Sequence, residues 1–304
     1  MPRLFDLQGH RGARGLFPEN TLEGFRATLG IGVTSFELDV AMTADAVPVV
    51  SHDAALNPDI ARGPDGAWLA GHGTLIRTLR LDELAAYDVG RLRPGSDYAR
   101  QFPDQAPHDG ARIPTLAQVL LVEPAVRFNI EMKTYPAHPD WTVAPELMAE
   151  AVVATAIAAG VLDRISIESF DWRGPRHLHR RHPGLRLAWL TRPDTVANAA
   201  LWWGGPVPGD YGGSVPRAVA AEGGVTWAPA HATLTADEVA EAHALGLRVL
   251  PWTVNAPADM RQLIEAGVDG LITDRPDIAR REMARAGIVL PAAHRLPEFR
   301  PHPQ

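Results

Sequence analysis

The sequence predicts an α/β protein, a (β/α)8 barrel (TIM barrel) with a small inserted subdomain after a hairpin on its second strand. Three observations support this prediction. Short β-type runs alternate about eight times with helical patterns over roughly 250 residues, which is typical of such a barrel. Polar residues collect where the predicted strands end. No Gly-x-Gly-x-x-Gly motif follows the first strand, which weakens the dinucleotide-binding alternative.

The composition narrows the class of protein. The chain has 304 residues, 46% hydrophobic and 21% charged, with a formal net charge of -7 and no cysteine. A negative charge argues against nucleic acid as a partner and against stable membrane attachment, and the lack of cysteine excludes disulfides and thiolate metal sites. Because the N-terminal segment enters a strand pattern directly, without a signal segment, we expect a cytoplasmic protein. The oligomeric state stays open.

The predicted strands share short apolar runs that end in polar residues. They span residues 4–9, 35–41, 128–131, 164–168, 185–190, 225–228, 248–252 and 270–273. The predicted helices show a periodicity of about 3.6 residues or end at a glycine. They span residues 20–30, 81–87, 115–121, 144–159, 173–181, 194–201, 236–245, 258–266 and 276–286. We expect Asn20 to cap the first helix, with Glu23 three positions on.

The second strand and the run after it predict a hairpin. Side chains alternate along a strand, so Glu37 and Asp39 point to one face and their apolar neighbours to the other. Residues 47–51 form the second arm, and a turn at Ala44-Asp45 would bring His52 roughly opposite Glu37. Two carboxylates and an imidazole would then share one small volume.

The domain organisation is predicted to be simple. Residues 1–290 form one barrel domain, within which residues 54–112 are rich in glycine, proline and aspartate and form the inserted subdomain. Residues 291–304 form a proline-rich tail that we expect to be loosely attached.

The ends of the predicted strands concentrate chemically active groups, which in such a barrel meet at one face. Glu37, Asp39 and Glu131 offer three carboxylates, an all-oxygen set suited to Mg²⁺ or Ca²⁺ and not to zinc. Arg11 and Lys133 are cations that match phosphate oxygens.

Two histidines complete this predicted site. His10 and His52 can exchange a proton near neutral pH. A metal site, two cations and two imidazoles together describe phosphodiester cleavage. Trp252 ends a predicted strand, and Phe170 and Asn255 follow predicted strands. We expect all three to line the substrate pocket.

At this point the motifs resemble those of the glycerophosphodiester phosphodiesterases. The matching pieces include His10-Arg11-Gly12, Glu37-Leu38-Asp39, His52-Asp53, Glu131-Met132-Lys133 and Trp252-Thr253-Val254-Asn255, in the order of that family. The resemblance implies a divalent ion on Glu37, Asp39 and Glu131, with His10 and His52 as the acid–base pair and Arg11 and Lys133 on the phosphate. It also implies hydrolysis of glycerophosphodiesters to glycerol 3-phosphate and an alcohol.

The mechanism expected from both lines of reasoning begins with attack of the glycerol 2-hydroxyl on phosphorus. One histidine removes the proton of that hydroxyl, the other protonates the departing alcohol, and water opens the cyclic phosphate. We favour His10 as base and His52 as acid, although the sequence does not fix which is which.

Other functions stay open at this stage. The chain could be a related barrel that releases the headgroup of lysophospholipids or resembles the sphingomyelinase D enzymes, or a catalytically idle barrel used for binding. Residues 201–224 hold Trp202, Trp203 and Tyr211 among glycines and prolines, and we hypothesise that this loop contacts the alcohol and stacks on choline. The alternative is a self-packed surface loop.

Three further features have simpler interpretations. Asp274 either orients a residue in the site or closes the barrel. His177, His179 and His182 indicate a solvated surface, since their spacing does not place them on one helical face. Ser169 has no triad partners nearby and is not expected to be a nucleophile.

Overall fold

A barrel of eight parallel strands organises the computed structural model, which describes residues 4–71, 73–122 and 126–294. The strands are β1 (Asp6–Gly9), β2 (Ser35–Met42), β3 (Pro48–Val50), β4 (Arg127–Met132), β5 (Ile165–Ser169), β6 (Arg186–Thr191), β7 (Thr226–Pro229), β8 (Arg248–Val249) and β9 (Gly270–Thr273). Their order is β8-β7-β6-β5-β4-β2-β1-β9, and β3 pairs antiparallel with β2 outside that path. The predicted fold class is therefore confirmed.

The barrel closes between its last two strands. β9 pairs in parallel with β1, so that the first and last strands are neighbours. On its other side, Ile272 N donates to Pro251 O at 3.0 Å, and Val254 N donates to Ile272 O at 3.0 Å. Backbone hydrogen bonds thus continue from β9 to the segment after the short strand β8.

Helices cover the outside of the barrel or connect its strands. They are α1 (Leu22–Leu29), α2 (Leu81–Leu84), α3 (Asp97–Gln101), α4 (Leu116–Leu120), α5 (Pro145–Ala158), α6 (Arg173–Arg181), α7 (Pro193–Ala197), α8 (Ala199–Trp202), α9 (Val215–Ala221), α10 (Ala236–Ala244), α11 (Pro257–Glu265) and α12 (Pro276–Arg285). Within the described ranges, no helix is long and apolar enough to cross a membrane.

The main core lies between the strands and the outer helices. Phe36, Leu38 and Val40 of β2 are completely buried there, and the Phe36 ring contacts Phe25 of α1 with 4.9 Å between centroids. Strand alternation therefore turns Glu37 and Asp39 to the inside of the barrel, as predicted.

The hairpin differs from its prediction by one residue. β2 and β3 pair Val40 with Val50, and continuing this register places His52 opposite Leu38 instead of Glu37. The turn is centred on Asp45, because Thr43 N donates to Val47 O at 3.1 Å and Ala46 adopts a left-handed φ of 60°. A three-residue connection of this kind is a common hairpin geometry that the sequence did not distinguish from a two-residue turn.

The cap of the first helix lies one residue later than predicted, and the helix itself begins at Leu22. Thr21, and not Asn20, caps α1, since its hydroxyl accepts a hydrogen bond from Gly24 N at 3.0 Å. Asn20 adopts a left-handed φ of 54°, which leaves its side chain outside the helix. The expectation that Asn20 is the cap is wrong, and its amide is available for another contact.

Residues 54–112 pack against the β2–β3 hairpin. A second apolar cluster joins the two parts and contains Ala41, Val49, Leu56, Ala61, Ile76, Leu84 and Val89. The predicted helix over 81–87 ends at Leu84, and a further helix, α3, begins after Ser96, whose hydroxyl accepts from Ala99 N at 3.0 Å.

Residues 201–224 contain more regular structure than predicted. Helix α9 lies within this segment, and Ser214 caps it by accepting a hydrogen bond from Arg217 N at 3.2 Å. Trp203 is fully buried and stacks on Trp172 with 3.9 Å between ring centroids. The segment is therefore anchored to the outside of the barrel.

The start of the C-terminal tail is also attached. His294 N donates to Leu29 O at 2.9 Å, and Arg280 Nη1 donates to Pro291 O at 2.6 Å. These bonds contradict the expectation of a loose tail for residues 291–294, while residues 295–304 lie outside the described residues.

Candidate active site

A cavity of about 180 Å³ opens at the C-terminal ends of the barrel strands. It brings together all the predicted site residues except Asp39 and Asn255. Those on its wall are His10, Arg11, Glu37, His52, Glu131, Lys133, Phe170 and Trp252. Asp39 is fully buried, next to Glu131 in the pairing of β2 with β4.

Three buried carboxylates form the acidic centre of this site. Glu37, Asp39 and Glu131 each offer one oxygen, and these oxygens all lie within 4.8 Å of one another. Arg11 N donates to Glu37 Oε2 at 2.9 Å and Asn20 Nδ2 donates to Asp39 Oδ2 at 2.9 Å. Asp39 Oδ1 is buried with no hydrogen-bond partner among the described residues. A compact set of hard oxygen donors with an unsatisfied buried oxygen fits Mg²⁺ or Ca²⁺.

Burial and the charges of neighbouring groups shift the pKa values of the three acids. Burial raises the pKa of Glu37 well above its ordinary value, and the charges of Asp39 and Glu168 raise it further. Burial also raises the pKa of Glu131, to about 7. Burial opposes ionisation of Asp39 too, but the charges of its cationic neighbours outweigh burial and lower its pKa. A cation between these oxygens would relieve the repulsion.

Two buried cations flank the acids. Arg11 Nη1 donates to Glu19 Oε1 at 2.8 Å, and Arg11 Nε lies 3.3 Å from Asp39 Oδ2. Lys133 Nζ donates to Glu131 Oε1 at 2.8 Å and lies 3.6 Å from Asp39 Oδ1. Both cations also line the cavity, where they can face an anionic ligand.

His10 is held by a carboxylate that follows the last strand. His10 Nδ1 and Asp274 Oδ1 are 2.6 Å apart. Asp274 in turn accepts hydrogen bonds from Arg14 Nε at 2.7 Å and from Asn255 Nδ2 at 2.7 Å. The charges and hydrogen bonds of His10 and Arg14 keep the pKa of Asp274 low against its burial, so Nδ1 carries the proton and Nε2 is left as a proton acceptor.

His52 has the same kind of support. His52 Nδ1 and Asp53 Oδ1 are 2.7 Å apart, and Asn57 Nδ2 donates to Asp53 Oδ2 at 2.8 Å. Burial, and then the charges of Arg11 and Lys133, lower the pKa of His52 to about 4. Each imidazole is thus fixed through Nδ1 by an acid, which leaves its Nε2 for chemistry.

An aromatic wall forms the other side of the cavity and consists of Phe170, Trp202 and Trp252. The Phe170 ring meets Trp252 edge-on at 5.2 Å and Trp202 at 6.3 Å between centroids. The Arg192 guanidinium lies over the Phe170 ring, 5.1 Å from its centroid. Of the three aromatic residues singled out in segment 201–224, Trp202 lines the cavity, whereas Trp203 and Tyr211 pack against the core.

Asn255 does not line the cavity, contrary to its prediction as a substrate contact. Its amide nitrogen binds Asp274, and its carbonyl oxygen accepts from Thr273 Oγ1 at 3.1 Å. Asn255 therefore acts on His10 through Asp274. Asp274 itself orients a site residue, which was one of its two possible roles.

Glu168 is a site residue that the sequence reasoning did not assign. It pairs in register with Glu131, lines the cavity and is 1% exposed. Burial, followed by the charge of Glu131, raises its pKa to about 8. The alternation of β5, which turns Glu168 to the same side as Ser166, is the signal that could have found it.

Two further residues near Arg11, namely Arg14 and Tyr98, had no local signal in the sequence. Tyr98 of helix α3 hydrogen-bonds with Glu19, and Arg14 Nη1 donates to Tyr98 Oη at 3.0 Å. The insertion thus braces the residues around Arg11. Tyr98 is 79 residues from Glu19 and 84 residues from Arg14 in the sequence, so no rule of sequence spacing predicts these contacts.

Ser169, His177 and His182 do not line the cavity. Ser169 Oγ donates to the backbone oxygen of Met132 at 3.0 Å. His177 and His182 share Glu150 on the outer face, with Nε2–carboxylate distances of 2.6 and 3.1 Å.

The chain is similar to a described enzyme family over most of its length. The sequence model of the Glycerophosphoryl diester phosphodiesterase family matches residues 10–278. The uncharacterized protein YqiK of Bacillus subtilis is 32% identical over 282 residues, covering 92% of this chain and 97% of that protein. A glycerophosphodiester phosphodiesterase of Caldanaerobacter subterraneus is 26% identical, covering 88% of this chain and 93% of that protein.

Solved structures have the same fold. A proposed glycerophosphoryl diester phosphodiesterase from Silicibacter pomeroyi has a TM-score of 0.85 and 38% identity, with 95% of this chain and 96% of that chain covered. A phosphodiesterase from Oleispira antarctica, solved in complex with the product sn-glycerol-3-phosphate, has a TM-score of 0.69 and 21% identity. That alignment covers 92% of this chain and 97% of the other.

Proposed function

Since the chain belongs to the glycerophosphoryl diester phosphodiesterase family, we propose that it hydrolyses glycerophosphodiesters to glycerol 3-phosphate and an alcohol by metal-assisted acid–base catalysis. One observation carries the mechanism. Two carboxylate-braced imidazoles, His10 and His52, line the same cavity as a buried acidic centre and two cations. The bound product of the Oleispira antarctica phosphodiesterase is the product expected here.

Glu37, Asp39 and Glu131 would hold the divalent ion, Mg²⁺ or Ca²⁺. When bound, the ion supplies Lewis acidity that stabilises negative charge developing on the phosphoryl oxygens. Arg11 and Lys133 contribute fixed positive charge at the same place, and they bind and orient the phosphodiester.

The two histidines move the protons. His10 Nε2 accepts the proton of the glycerol 2-hydroxyl while the oxygen of that hydroxyl forms a bond to phosphorus. The bond from phosphorus to the alcohol breaks, and His52 Nε2 gives that oxygen a proton. Water then opens the cyclic phosphate to glycerol 3-phosphate. A bound phosphodiester anion offsets the charges of Arg11 and Lys133 that lower the pKa of His52, which favours the protonated form needed for an acid.

Alanine replacements test the histidines. We expect His10→Ala and His52→Ala each to lower kcat by about 10²–10⁴-fold, the usual contribution of a positioned acid or base. His108→Ala removes an exposed histidine of the insertion and should leave turnover unchanged. Near-normal release of glycerol 3-phosphate by both site variants would contradict the mechanism.

A substrate with a different leaving group tests which histidine is the acid and which is the base. A p-nitrophenyl leaving group needs little protonation, so it should restore much of the rate of the His52→Ala variant and little of the rate of the His10→Ala variant. The reverse pattern would exchange the two roles.

Chelation tests the metal. Removing divalent ions should abolish release of glycerol 3-phosphate, and returning Mg²⁺ or Ca²⁺ should restore it. Unchanged turnover in a chelator, after dialysis, would rule out a metal-dependent reaction.

A second candidate function has one structural observation in its favour. A groove of about 400 Å³, lined in part by Val196, Val215, Trp227 and Leu234, shares Arg192 with the cavity. Such a groove could accept an acyl chain, as a lysophospholipase D-like enzyme requires. Faster release of choline from a lysophospholipid than from its deacylated counterpart would favour this alternative.

A further inference from the structure

The opposite end of the barrel carries an unusual layer of side chains. In a TIM barrel, each interior layer takes its four side chains from alternate strands, and branched apolar residues dominate. At the N-terminal end of this barrel the layer comes from β1, β4, β6 and β8. Its members are Asp6, Arg127, Arg186 and Arg248.

The register of the strands supports this grouping. Ser166 of β5 pairs with Arg186, and Thr226 of β7 pairs with Arg248. Ser35 of β2 pairs with Arg127. The alternate strands therefore contribute small polar residues between the arginines, and all of these side chains line a cavity of about 90 Å³.

The layer has an excess of positive charge. Arg127 Nη2 lies 3.6 Å from Asp6 Oδ1, and Arg248 Nη2 lies 3.9 Å from Asp6 Oδ2. Asp6 is thus the one acidic member of a layer that has three arginines, in a chain whose net charge is -7. Asp6 is moreover shared, because Ser35 Oγ and Gln8 Nε2 donate to it at 2.8 and 3.0 Å.

Arg186 shows the effect of this crowding. Its guanidinium donates to the backbone oxygens of Ile165 and Asp163, which bear no full charge. Burial lowers the pKa of Arg186, and the charges of Arg127 and Arg248 lower it further, against the opposing charges of Asp163 and Asp6. A guanidinium has five N–H donors, so donors remain for a ligand.

We propose that this arginine layer, Arg127, Arg186 and Arg248, binds a phosphate group at the N-terminal mouth of the barrel. The site is distinct from the catalytic cavity, which lies at the other end of the strands. Planar guanidinium groups bind phosphate oxygens through paired hydrogen bonds, and the small neighbours Ser35, Ser166 and Thr226 leave room for such an ion. The ligand is inorganic phosphate or a phosphate monoester.

Calorimetric titration of the metal-loaded protein with inorganic phosphate tests the proposal, with sodium chloride used to match ionic strength. We expect saturable binding that Arg186→Gln weakens by about tenfold or more, because it removes charge-assisted hydrogen bonds. Arg248→Gln should act in the same direction. Neither variant should change the turnover of a glycerophosphodiester, which also tests that each is folded.

Two control variants show whether phosphate binds specifically at the arginine layer. Arg181→Gln removes an exposed arginine of α6 and should leave phosphate binding unchanged. Lys133→Gln alters the catalytic cavity and should also leave this binding event in place. Equal binding by the wild type and Arg186→Gln, or loss of binding in Lys133→Gln alone, would overturn the proposal. A phosphate monoester is titrated in the same way. Tighter binding of the monoester than of inorganic phosphate would identify the monoester as the ligand, and the reverse order would identify inorganic phosphate.

Discussion

The orientation of His10 depends on a carboxylate that lies 264 residues away in the sequence, at Asp274. This short contact fixes the Nδ1 proton. In the proposed mechanism it would also stabilise the imidazolium formed when Nε2 accepts a proton. Arg14 and Asn255 hold the same carboxylate, so the orientation of one ring depends on three other side chains.

Replacing this carboxylate should therefore impair the chemistry more than binding. For Asp274→Asn we expect kcat to fall by about 10²-fold or more with little change in KM, since the amide loses the negative charge and permits the wrong tautomer. Steady-state kinetics measure kcat and KM separately. Asp259→Asn, at an exposed carboxylate 3.5 Å from His231, is the control. A parallel rise in KM with constant kcat would assign Asp274 to substrate binding instead.

Arg192 places a guanidinium group on the wall of the cavity. Its guanidinium covers Phe170 and pairs with Asp194 at 2.7 Å, on the wall where a choline group would have to stack. A fixed cation there should disfavour a quaternary ammonium and favour neutral or anionic alcohols.

Arg192→Gln should relax this preference. We expect kcat/KM for glycerophosphocholine, relative to glycerophosphoglycerol, to rise by about fivefold at low salt and by less at high salt, because salt screens the repulsion. Arg217→Gln, at an arginine paired with Glu241 elsewhere, should leave the ratio unchanged. An unchanged ratio in Arg192→Gln, with diester hydrolysis intact, would exclude the charge preference without affecting the proposed reaction.

Among the secondary-structure elements, strand alternation was the most predictive property of the sequence. It turned Glu37 and Asp39 inward and placed Glu131 beside them, because parallel strands in register bring their ends together. Short helices were missed for a physical reason. Helices α3 and α9 have five and seven residues, too few to show a periodicity among glycines and prolines.

Contacts between distant elements could not be predicted. Asn20 binds Asp39 because its own left-handed backbone moves the helix cap to Thr21. Tyr98 reaches Glu19 from the insertion, and Asn255 turns to Asp274 instead of the cavity. Each of these contacts depends on how separate elements pack, which a single sequence does not encode locally.

Two ion pairs that share Asp109 make the stability of the insertion depend on pH. Asp109 bridges Arg91 Nη2 at 2.5 Å and Arg62 Nη2 at 2.6 Å, and the Arg91 hydrogen bond is the main cause that lowers its pKa to about 2. A depressed folded-state pKa stabilises the protein above the unfolded value and loses that contribution as pH falls.

Asp109→Asn should remove this contribution. We expect the variant to have a lower free energy of unfolding than the wild type at neutral pH, with the difference shrinking as pH falls from about 4 towards 2. Urea unfolding at several pH values measures it. Asp82→Asn, at an exposed aspartate of α2, is the control. A difference that persists at about pH 2 would point to packing and not to charge.

At the scale of the whole molecule, the two ends of the barrel have opposite electrostatic character. The C-terminal end buries Glu37, Asp39, Glu131 and Glu168 around its cavity, and the N-terminal end carries the arginine layer. Acids that repel one another in the folded state but separate on unfolding reduce stability, so a cation bound only by the folded state should stabilise the chain.

Metal binding should therefore raise the melting temperature. At about 100 times its Kd, a ligand specific for the folded state adds roughly 2.7 kcal/mol, and in a domain of this size that corresponds to a rise of about 4 °C. Thermal unfolding with Mg²⁺ or Ca²⁺, and again with chelator, measures the shift. Glu131→Gln should reduce it, whereas an equal shift in that variant would place the ion elsewhere.

The position of β9 beside β1 has a consequence for how the enzyme matures. Glu37, Asp39 and His52 lie on one local hairpin and can approach each other early, but His10 lacks its aspartate until the final strand docks. During synthesis on the ribosome, the proposed site is thus incomplete until β9 and Asp274 have emerged. Recovery of turnover after refolding consequently reports arrival of the C-terminal segment, and a chain truncated before residue 270 would be inert however much of the barrel it retained.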